Sequence, residues 1–573
     1  GWCYFYGWGG WPYFGLNGVF VADMNADGAP DIVTGQYRLA NFQGSLALFL
    51  GSATDGFPDT ISHELTGHSL AKKSAGIGIA QPLGDVDGDQ SPEIMVFASS
   101  NDDLGDVGRT FVVPGSALTG TNEAINNGSA TLVEQSTPLA FPGKRAGASL
   151  GSSIGILGDL DGDGFQEVAT ATSVKTEQFG GTLGAVMIHR GTAQGAEKAP
   201  ASIAVAFKGS SGWQGFGGGI QNGDFNGDGH MDWSAHNFGK AHPKYFVDDP
   251  AFEWPTACKE KLKDTTGHVS TFVFSGGLDA LPLPGEYQPS FAYYSPHSTG
   301  FTAMLDYNGD GYSDLVKGNA YIKDSAGSYA GHVEIIEGRA FTPGKIAVAC
   351  EPDQTFLGAG DNIARITDDI VRVGDLNGDG CEEFATIANA AAYGKTQNLY
   401  VFYGWGPKCA YATVHYTALT AVQFGDNGLT TIAAADMDGD GGPDIVVSNA
   451  SKSIGDDQFG AIWLIPSSRL TTLATEPYVE GQAPTNLPLF VDPTMPGLHM
   501  LMGKIPSGRF GESLSMVPDL GGPGRAAVIV GSPGTESGGK VNTGGAYIYQ
   551  FSVANGGLDP IPMARIMGET YRP

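Results

Sequence analysis

An acidic nine-residue pattern, Asp-x-(Asp/Asn)-x-Asp-x-x-x-(Asp/Glu), recurs seven times in this 573-residue chain and limits its possible folds more than any other feature. The copies start 61 to 83 residues apart, so they cover the chain and favour one repeat array over about three or four separate domains. Seven copies and a degraded eighth begin at Asp23, Asp85, Asp159, Asp224, Asp306, Asp375, Asp436 and Asp519.

The residues around each acidic loop repeat as well. A short apolar stretch precedes the loop, a β-branched run such as Asp444-Ile-Val-Val follows it, and a third run such as Asn398–Gly404 comes next. A fourth, weaker run closes each unit, for example Ile346–Cys350 and Ala412–Tyr416. Four short runs bounded by Gly, Asn or Asp predict a four-stranded antiparallel sheet, with few helices. Eight such sheets predict an all-β fold, an eight-bladed β-propeller that forms a single domain over residues 1–573.

The spacing of acids within each loop is typical of a cation site. Calcium takes about six to eight oxygen ligands, and a tight turn brings side chains at positions 1, 3, 5 and 9 to one point. An EF-hand is excluded, because its last acid stands at position 12 between helices, whereas β-branched runs follow here. The predicted side-chain ligands are Asp23, Asn25, Asp27, Asp31, Asp85, Asp87, Asp89, Glu93, Asp159, Asp161, Asp163, Glu167, Asp224, Asn226, Asp228, Asp232, Asp306, Asn308, Asp310, Asp314, Asp375, Asn377, Asp379, Glu383, Asp436, Asp438, Asp440 and Asp444.

Asp-Gly and Asn-Gly pairs are also ordinary turn formers, so a single copy would say little. Within their 63 residues, the seven copies hold 24 carboxylates at positions 1, 3, 5 and 9, and such dense like charge requires neutralisation. We therefore expect about seven bound calcium ions. The loops that begin at Asp85, Asp159 and Asp436 carry four acids and should bind more tightly than those with Asn at position 3. The loop at Asp519 lacks the other ligands and should be a metal-free turn.

The units resemble the FG-GAP repeats of integrin α-subunit propellers. The eighth unit carries Phe510-Gly511 before its loop and Gly531-Ser-Pro after it, and Phe14-Gly15, Phe216-Gly217 and Phe424-Gly425 keep the first half of the motif. The resemblance implies a β-propeller with calcium-binding loops and an extracellular, adhesive role. Because integrin propellers have seven blades, a seven-bladed ring is the alternative to eight.

Charge, hydropathy, sequons and cysteines further limit the functions that this chain could have. A formal charge of −30 argues against nucleic-acid binding, and without a run of about 18 apolar residues no membrane span is expected. The sequons at Asn127 and Asn449 are compatible with a secreted glycoprotein. The cysteines allow at most two disulfides within the chain, with the pairing open among Cys3, Cys258, Cys350, Cys381 and Cys409.

One long unit contains an inserted loop, residues 236–267, rich in aromatic and basic side chains. We expect either a solvated decoration or an interaction site, and we expect that deleting Ala241–Lys263 would spare folding. The longer segments, such as Ser448–Gly460, should lie on the face opposite the acidic loops and meet the partner there.

No nucleophile elbow, zinc-protease, P-loop or dinucleotide motif is present, so we expect no enzyme. Three functions fit the sequence. The first is a calcium-stabilised extracellular propeller that mediates adhesion or binds a protein or glycan ligand. The second is a structural subunit of an extracellular filament or surface coat, whose partners are neighbouring subunits. The third is a lectin or a carbohydrate-active lyase.

Overall fold

Among the described residues, the strands form eight main sheets, each built on four antiparallel strands, one for each acidic loop and one for the degraded copy. The computed structural model describes residues 14–36, 45–52, 62–66, 79–86, 88–98, 109–113, 115, 131–133, 154–176, 181–193, 196, 201–205, 216–237, 250–262, 269–282, 287–295, 301–319, 331–342, 344–357, 366–388, 397–404, 406, 409, 418–424, 429–455, 457–470, 476–477, 489–490, 499–534 and 544–567.

The first four sheets are each built from four strands in sequence order. Sheet 1 contains β1 (Phe14–Ala22), β2 (Asp31–Gln36), β3 (Ser45–Phe49) and β4 (His63–Thr66). Sheet 2 contains β5 (Ile79–Gly84), β6 (Glu93–Ala98), β7 (Arg109–Val113) and β8 (Thr131–Val133). Sheet 3 contains β9 (Ile154–Gly158), β10 (Glu167–Thr176), β11 (Gly181–His189) and β12 (Ser202–Val205). Sheet 4 contains β13 (Phe216–Gly223), β14 (Asp232–Asn237), β16 (Val269–Phe274) and β17 (Phe291–Ser295), with β15 (Phe252–Glu253) and helix α1 (Thr256–Leu262) between β14 and β16.

The last four sheets follow the same plan with short additions. Sheet 5 contains β18 (Phe301–Leu305), β19 (Asp314–Asn319), β20 (His332–Ile336) and β22 (Gln354–Leu357), and β21 (Ile346–Ala349) precedes β22. Sheet 6 contains β23 (Ile366–Gly374), β24 (Glu383–Ala388), β25 (Gln397–Phe402) and β26 (Ala418–Phe424), joined by β32 (Glu476–Pro477) and β33 (Leu489–Phe490). Sheet 7 contains β27 (Ile432–Ala435), β28 (Asp444–Asn449), β31 (Ala461–Ile465) and β34 (His499–Met502), with the hairpin β29 (Ser453–Ile454) and β30 (Asp457–Gln458) and helix α2 (Ser467–Leu470). Sheet 8 contains β35 (Leu514–Gly522), β36 (Arg525–Ser532), β37 (Gly545–Ser552) and β39 (Ala564–Met567), with β38 (Gly557–Leu558) beside β37.

Strand β28 shows why these apolar strands need a sheet on each side. All six of its residues are buried, and alternate side chains point to opposite faces. Ile445 and Val447 pack into one core with Leu399 and Val401 of sheet 6. Val446 packs into a second core with side chains of sheet 8. Stacked sheets therefore bury both faces of each strand, which a single four-stranded sheet could not do.

The sheets contact one another in chain order. The first strands lie side by side, β1 with β5, β5 with β9, and so on to β27 with β35. Sheet 8 then contacts sheet 1, because β35 and β36 lie against β1. The two end sheets also share a core in which Ile32 and Phe49 pack with Ile529 and Ile548. The prediction of an all-β fold is confirmed.

Two predicted closing strands need correction. The run Ile346–Cys350 does not close the fifth unit, because β21 pairs in parallel with β17 of sheet 4, and β22 is the fourth strand of sheet 5. The run Ala412–Tyr416 lies outside the described residues, and the fourth strand of sheet 6 is Ala418–Phe424. Both segments are short and apolar, and sequence periodicity alone cannot choose between two available sheet edges.

The insertion at residues 236–267 is not a solvated decoration. Its first two residues complete β14, and β15 pairs with β21 at the outer edge of sheet 4. Trp254 is 9% exposed and its ring stacks on Tyr294 at a centroid distance of 5.4 Å. A disulfide joins Cys258 of α1 to Cys350. The expectation that deleting Ala241–Lys263 would spare folding is therefore wrong, because the deletion would remove part of a hydrophobic core.

A second disulfide joins Cys381 to Cys409, and Cys3 lies outside the described residues. The expected maximum of two disulfides is thus reached with four of the five cysteines. None of the helices in the described ranges has the length and apolarity that crossing a bilayer requires.

The packing of Trp254 leads to a stability prediction. Trp254→Ala should lower the free energy of unfolding by about 3–5 kcal/mol, as is usual when a buried aromatic side chain is truncated. Denaturant unfolding followed by tryptophan fluorescence and circular dichroism measures the change. Lys259→Ala, in the exposed part of the same insertion, is the control and should stay within about 0.5 kcal/mol of the parent. Equal stabilities for the two variants would contradict the assigned packing.

Candidate metal centres

All seven acidic loops share one backbone conformation. The first strand of a sheet ends one residue before position 1, and the second strand begins at position 9. The N–H of position 6 donates to the position-1 carboxylate at 2.7–3.0 Å. The residue at position 6 has a positive φ in every loop, for example +91° at Gly164 and +72° at Gln90. Glycine adopts this conformation without steric penalty, which explains its predominance at position 6.

A second bond repeats inside the loop. The N–H of position 7 donates to Oδ1 of the position-5 aspartate at 2.7–2.9 Å in all seven copies. These two bonds involve only groups of the loop itself, and they fix the carboxylates of positions 1 and 5 relative to the turn without an ion. The carboxylates are therefore held by local backbone bonds, which is the preorganisation that a cation site needs.

The position-9 carboxylate is completely buried in every loop. One of its oxygens accepts a backbone N–H from position 2 in six loops and from position 3 in the loop at Asp224. In five loops the other oxygen accepts the N–H of a residue just after the third strand, as Gly338 donates to Asp314 at 2.9 Å. The acid at position 9 therefore ties the loop to two neighbouring strands of its sheet.

Sequence reasoning missed the role of position 2. Its side chain is buried and apolar or aromatic in all seven loops, and it anchors the turn on the core between sheets. The signal was present in the sequence, because this position is never charged. The set comprises Met24, Val86, Leu160, Phe225, Tyr307, Leu376 and Met437.

The loop at Asp159 brings three of its predicted ligands together. Oxygen atoms of Asp159, Asp161 and Glu167 lie within 4.8 Å of one another. Within the described part of the chain, Asp161 Oδ1 and Glu167 Oε1 are buried and have no hydrogen-bond partner. Two buried acceptors that lack donors are costly in a folded protein, and a cation between them would satisfy both. These residues fit a hard divalent cation.

This loop also has a cationic neighbour. The guanidinium of Arg190 donates to Asp161 Oδ2 at 2.9 Å and lies 3.8 Å from Asp163. Arg190 follows the third strand of sheet 3, and sequence analysis did not single it out. Its charge offsets part of the repulsion among the loop acids.

The loop at Asp436 is the second site where three acids converge. Oxygens of Asp436, Asp438 and Asp444 also lie within 4.8 Å of one another. Both convergent triads thus occur in loops with four acids. In the third such loop, Asp87 lies outside the described residues. A further group, Asp379 with Cys381 and Cys409, is not a metal site because those two cysteines form a disulfide.

Loops with asparagine at position 3 are arranged differently. The Asn308 carbonyl accepts the N–H of Asp310 at 2.9 Å, and its amide donates to the Asp310 carboxylate at 3.1 Å. The same pair of bonds recurs in the loops at Asp23 and Asp375. The amide thus takes up one carboxylate oxygen that a cation would otherwise use.

The eighth loop is a tight turn. It keeps only the first of the repeated bonds, in which the Gly524 N–H donates to Asp519 at 2.7 Å. Strand β35 continues to Gly522, which pairs with Arg525. The turn therefore retains the hydrogen bond between positions 1 and 6 without the other acids, and strand β35 extends into it.

Neighbouring loops are hydrogen-bonded to each other. The N–H of position 8 donates to the position-1 carbonyl of the preceding loop in three places. The pairs are Ser313 with Asp224, Glu382 with Asp306, and Ala526 with Asp436, at 2.7–3.0 Å. The disulfide Cys381–Cys409 adds a contact, since Cys409 Sγ lies 3.6 Å from the Asn308 carbonyl. These loops therefore follow one another along the same edge of the stacked sheets.

Burial changes the acidity of the position-9 carboxylates. Desolvation, with added repulsion from the loop acids, raises the pKa of Glu167, Asp314 and Glu383 to about 8. The same cause raises the pKa of Asp232 and Asp444 to about 7. Backbone N–H donors oppose the rise but do not cancel it. A divalent cation would favour the ionised form of each group.

No family model matches the chain. Among curated proteins, the chain is similar to "Integrin alpha-V" of Gallus gallus, with 28% identity over 197 residues. The match covers 33% of this chain and 16% of that protein, so it spans a small part of the relative's length.

The raised pKa values predict how stability depends on pH. Without metal, acids whose folded pKa is raised stabilise the fold below the unfolded pKa of about 4, and this contribution is lost as the pH rises through about 7–8. The melting temperature in EGTA should therefore fall between about pH 5 and pH 8. With calcium bound the carboxylates stay ionised, so the gap between the calcium and EGTA melting temperatures should widen over the same range.

Glu167→Gln provides the matched control, because glutamine keeps the shape of the side chain without its charge. In EGTA this variant should melt at a higher temperature than the parent at pH 8, with a smaller difference at pH 5. A parent melting temperature in EGTA that rises from pH 5 to pH 8 would contradict the assignment.

Proposed function

We propose that the chain is an extracellular, calcium-stabilised, eight-bladed β-propeller that mediates adhesion or binds a protein or glycan ligand, without enzymatic activity. The observation that carries the proposal is the uniform geometry of the seven acidic loops, each with the same two backbone-to-carboxylate bonds and a fully buried acid at position 9. Local turn formation does not require a buried acid, whereas a buried carboxylate requires a compensating partner, which a bound cation would supply.

The arrangement of sheets supports eight blades over seven. Eight four-stranded sheets follow one another in contact, and sheet 8 packs on sheet 1 through Ile529 and Ile32. A closed ring is the arrangement in which such sheets leave no end face uncovered. We infer that the repeat units from 1 to 573 form one such ring, with one blade for each loop.

The donor set supports calcium as the ion. The loops offer carboxylate, amide and backbone carbonyl oxygens, and the described loops contain no thiolate or imidazole at positions 1, 3, 5 or 9. Oxygen-only sites of this kind suit hard divalent cations, and a tight loop with several acids favours calcium. We propose about seven ions, one for each intact loop, held by the acids and asparagines at positions 1, 3, 5 and 9.

Two further observations support an extracellular location. The disulfides Cys258–Cys350 and Cys381–Cys409 are of a kind that persists in oxidising compartments. The partial similarity to an integrin α-subunit points in the same direction and supports adhesion or ligand binding as the role. Of the two sequons, Asn449 is buried at the end of β28 and so gives no support to glycosylation, and Asn127 lies outside the described residues.

Counting bound ions tests the calcium assignment. Asp161→Ala removes a ligand from a convergent triad and should lower the calcium content by one ion per chain. Gly521→Asp is the matched control in the eighth loop, and it should leave the content unchanged, because Pro523 and Ala527 stand at positions 5 and 9. Native mass spectrometry with elemental analysis measures both. A gain of one ion in Gly521→Asp would contradict the ligand scheme.

A binding survey tests the proposed role. The purified chain should appear as single rings in electron micrographs and should bind a member of a protein or glycan array in calcium but not in EGTA. Calcium dependence is expected because the loops stabilise the blades that present the binding surface. Ordered filaments without array binding would favour a structural subunit. Release of shortened saccharides from a polysaccharide would overturn the non-enzymatic assignment.

A further inference from the structure

A cavity of about 130 Å³ lies between sheets 7 and 8 and shares no residue with the acidic loops. Four aromatic side chains and two cationic side chains line it. They are Phe459, Phe510, Tyr547, Tyr549, Lys504 and Arg565. Phe459 precedes β31, at the end of the Ser448–Gly460 segment that joins the second and third strands of sheet 7.

The aromatic wall is held in place by packing. Phe510 is 3% exposed and contacts Tyr547 and Tyr549 edge to face, at centroid distances of 5.8 and 5.9 Å. Tyr549 is 6% exposed, and Tyr547 pairs across the sheet with Arg565. The cavity is therefore preformed, and a ligand would not have to order its wall.

The two cations have no salt-bridge partner in the described part of the chain. Lys504 and Arg565 are both exposed, and neither takes part in any of the salt bridges found among the described residues. Two such cations at one cavity create a local positive potential, which favours a ligand with a carboxylate.

Exposed apolar side chains stand next in the chain to a residue that lines the cavity. Pro562 lines it, and its neighbours Ile561 and Met563 are 71% and 42% exposed. Large apolar side chains exposed together often mark a contact surface. A ligand that suits this cavity therefore combines one carboxylate with adjacent apolar groups.

We propose that this cavity binds the carboxylate side chain of an acidic peptide segment of a protein partner, with an apolar neighbour in that segment packing on Ile561 and Met563. The volume suits one side chain, and the apolar flank suits a peptide better than a saccharide, whose hydroxyl groups would lose hydrogen bonds there. This inference rests on the proposed ligand-binding role and names the chemistry of one site within it.

Binding of a short peptide tests the proposal. The probe is a blocked peptide with one glutamate between two leucines, and the control peptide has glutamine in place of glutamate. Titration calorimetry on the full chain in calcium should show the glutamate peptide binding about tenfold or more tightly, since hydrogen bonds to charged groups are the stronger ones. Lys504→Gln and Arg565→Gln should each weaken its binding by about tenfold.

Lys259→Gln, which makes the same charge change on α1, should leave the affinity unchanged. Calcium content and melting temperature of each variant show whether the fold and the acidic loops are intact, so that loss of this site is distinguished from failure of the calcium-stabilised propeller. Equal binding of the two peptides, unchanged affinity in Lys504→Gln and Arg565→Gln, or tighter binding of glucuronate than of the glutamate peptide would each overturn the proposal.

Discussion

The buried carboxylate at position 9 is the interaction on which the rest of each sheet depends. Asp314 accepts one N–H from the loop, at Tyr307, and one from the exit of the third strand, at Gly338. A single side chain thus joins three consecutive parts of the blade. Burying its charge is unfavourable, and the two N–H donors offset only part of that cost, as the pKa of about 8 indicates. A cation in the loop would complete the compensation, and metal binding would then be coupled to folding.

Stacking of the sheets follows from the same strands. Their side chains alternate between two cores, as Ile445 and Val446 do in β28, so no sheet is stable without neighbours. Hydrogen bonds between successive loops, such as Ser313 with Asp224, add a polar link along one edge. The eighth loop keeps this link through Ala526 although it has lost most of its acids. The place of the eighth loop in the array therefore constrains its backbone, whereas the other seven loops also carry the acids that would hold a metal.

The connecting segments at the two edges of the stacked sheets differ in how much their lengths vary. The acidic loops have constant length because each ligand position is tied to a specific bond. The segments that join the second and third strands differ widely in length, and one of them carries Phe459 into the cavity with Lys504 and Arg565. Sheet 4 uses its long insertion in another way, covering its outer edge with Trp254 and a disulfide. Variable segments in this protein thus serve both packing and the proposed recognition.

The sequence by itself determined the repeat, the all-β class, the position of each acidic loop between the first and second strands, and the acids at its corners. These features are local, because the turn is set by glycine at position 6 and by bonds within nine residues, such as those of Asp159 and Asp163. Only the tertiary structure decided that Arg190 approaches Asp161, that Ile346–Ala349 joins sheet 4, and that Trp254 is buried. Each of these depends on contacts between segments distant in the chain. The residues next to an apolar run or a lone arginine in the sequence do not show which distant segment it will contact. Which segments pack together is decided by the free energy of burying one apolar surface against another. That free energy is gained only when the sheets assemble.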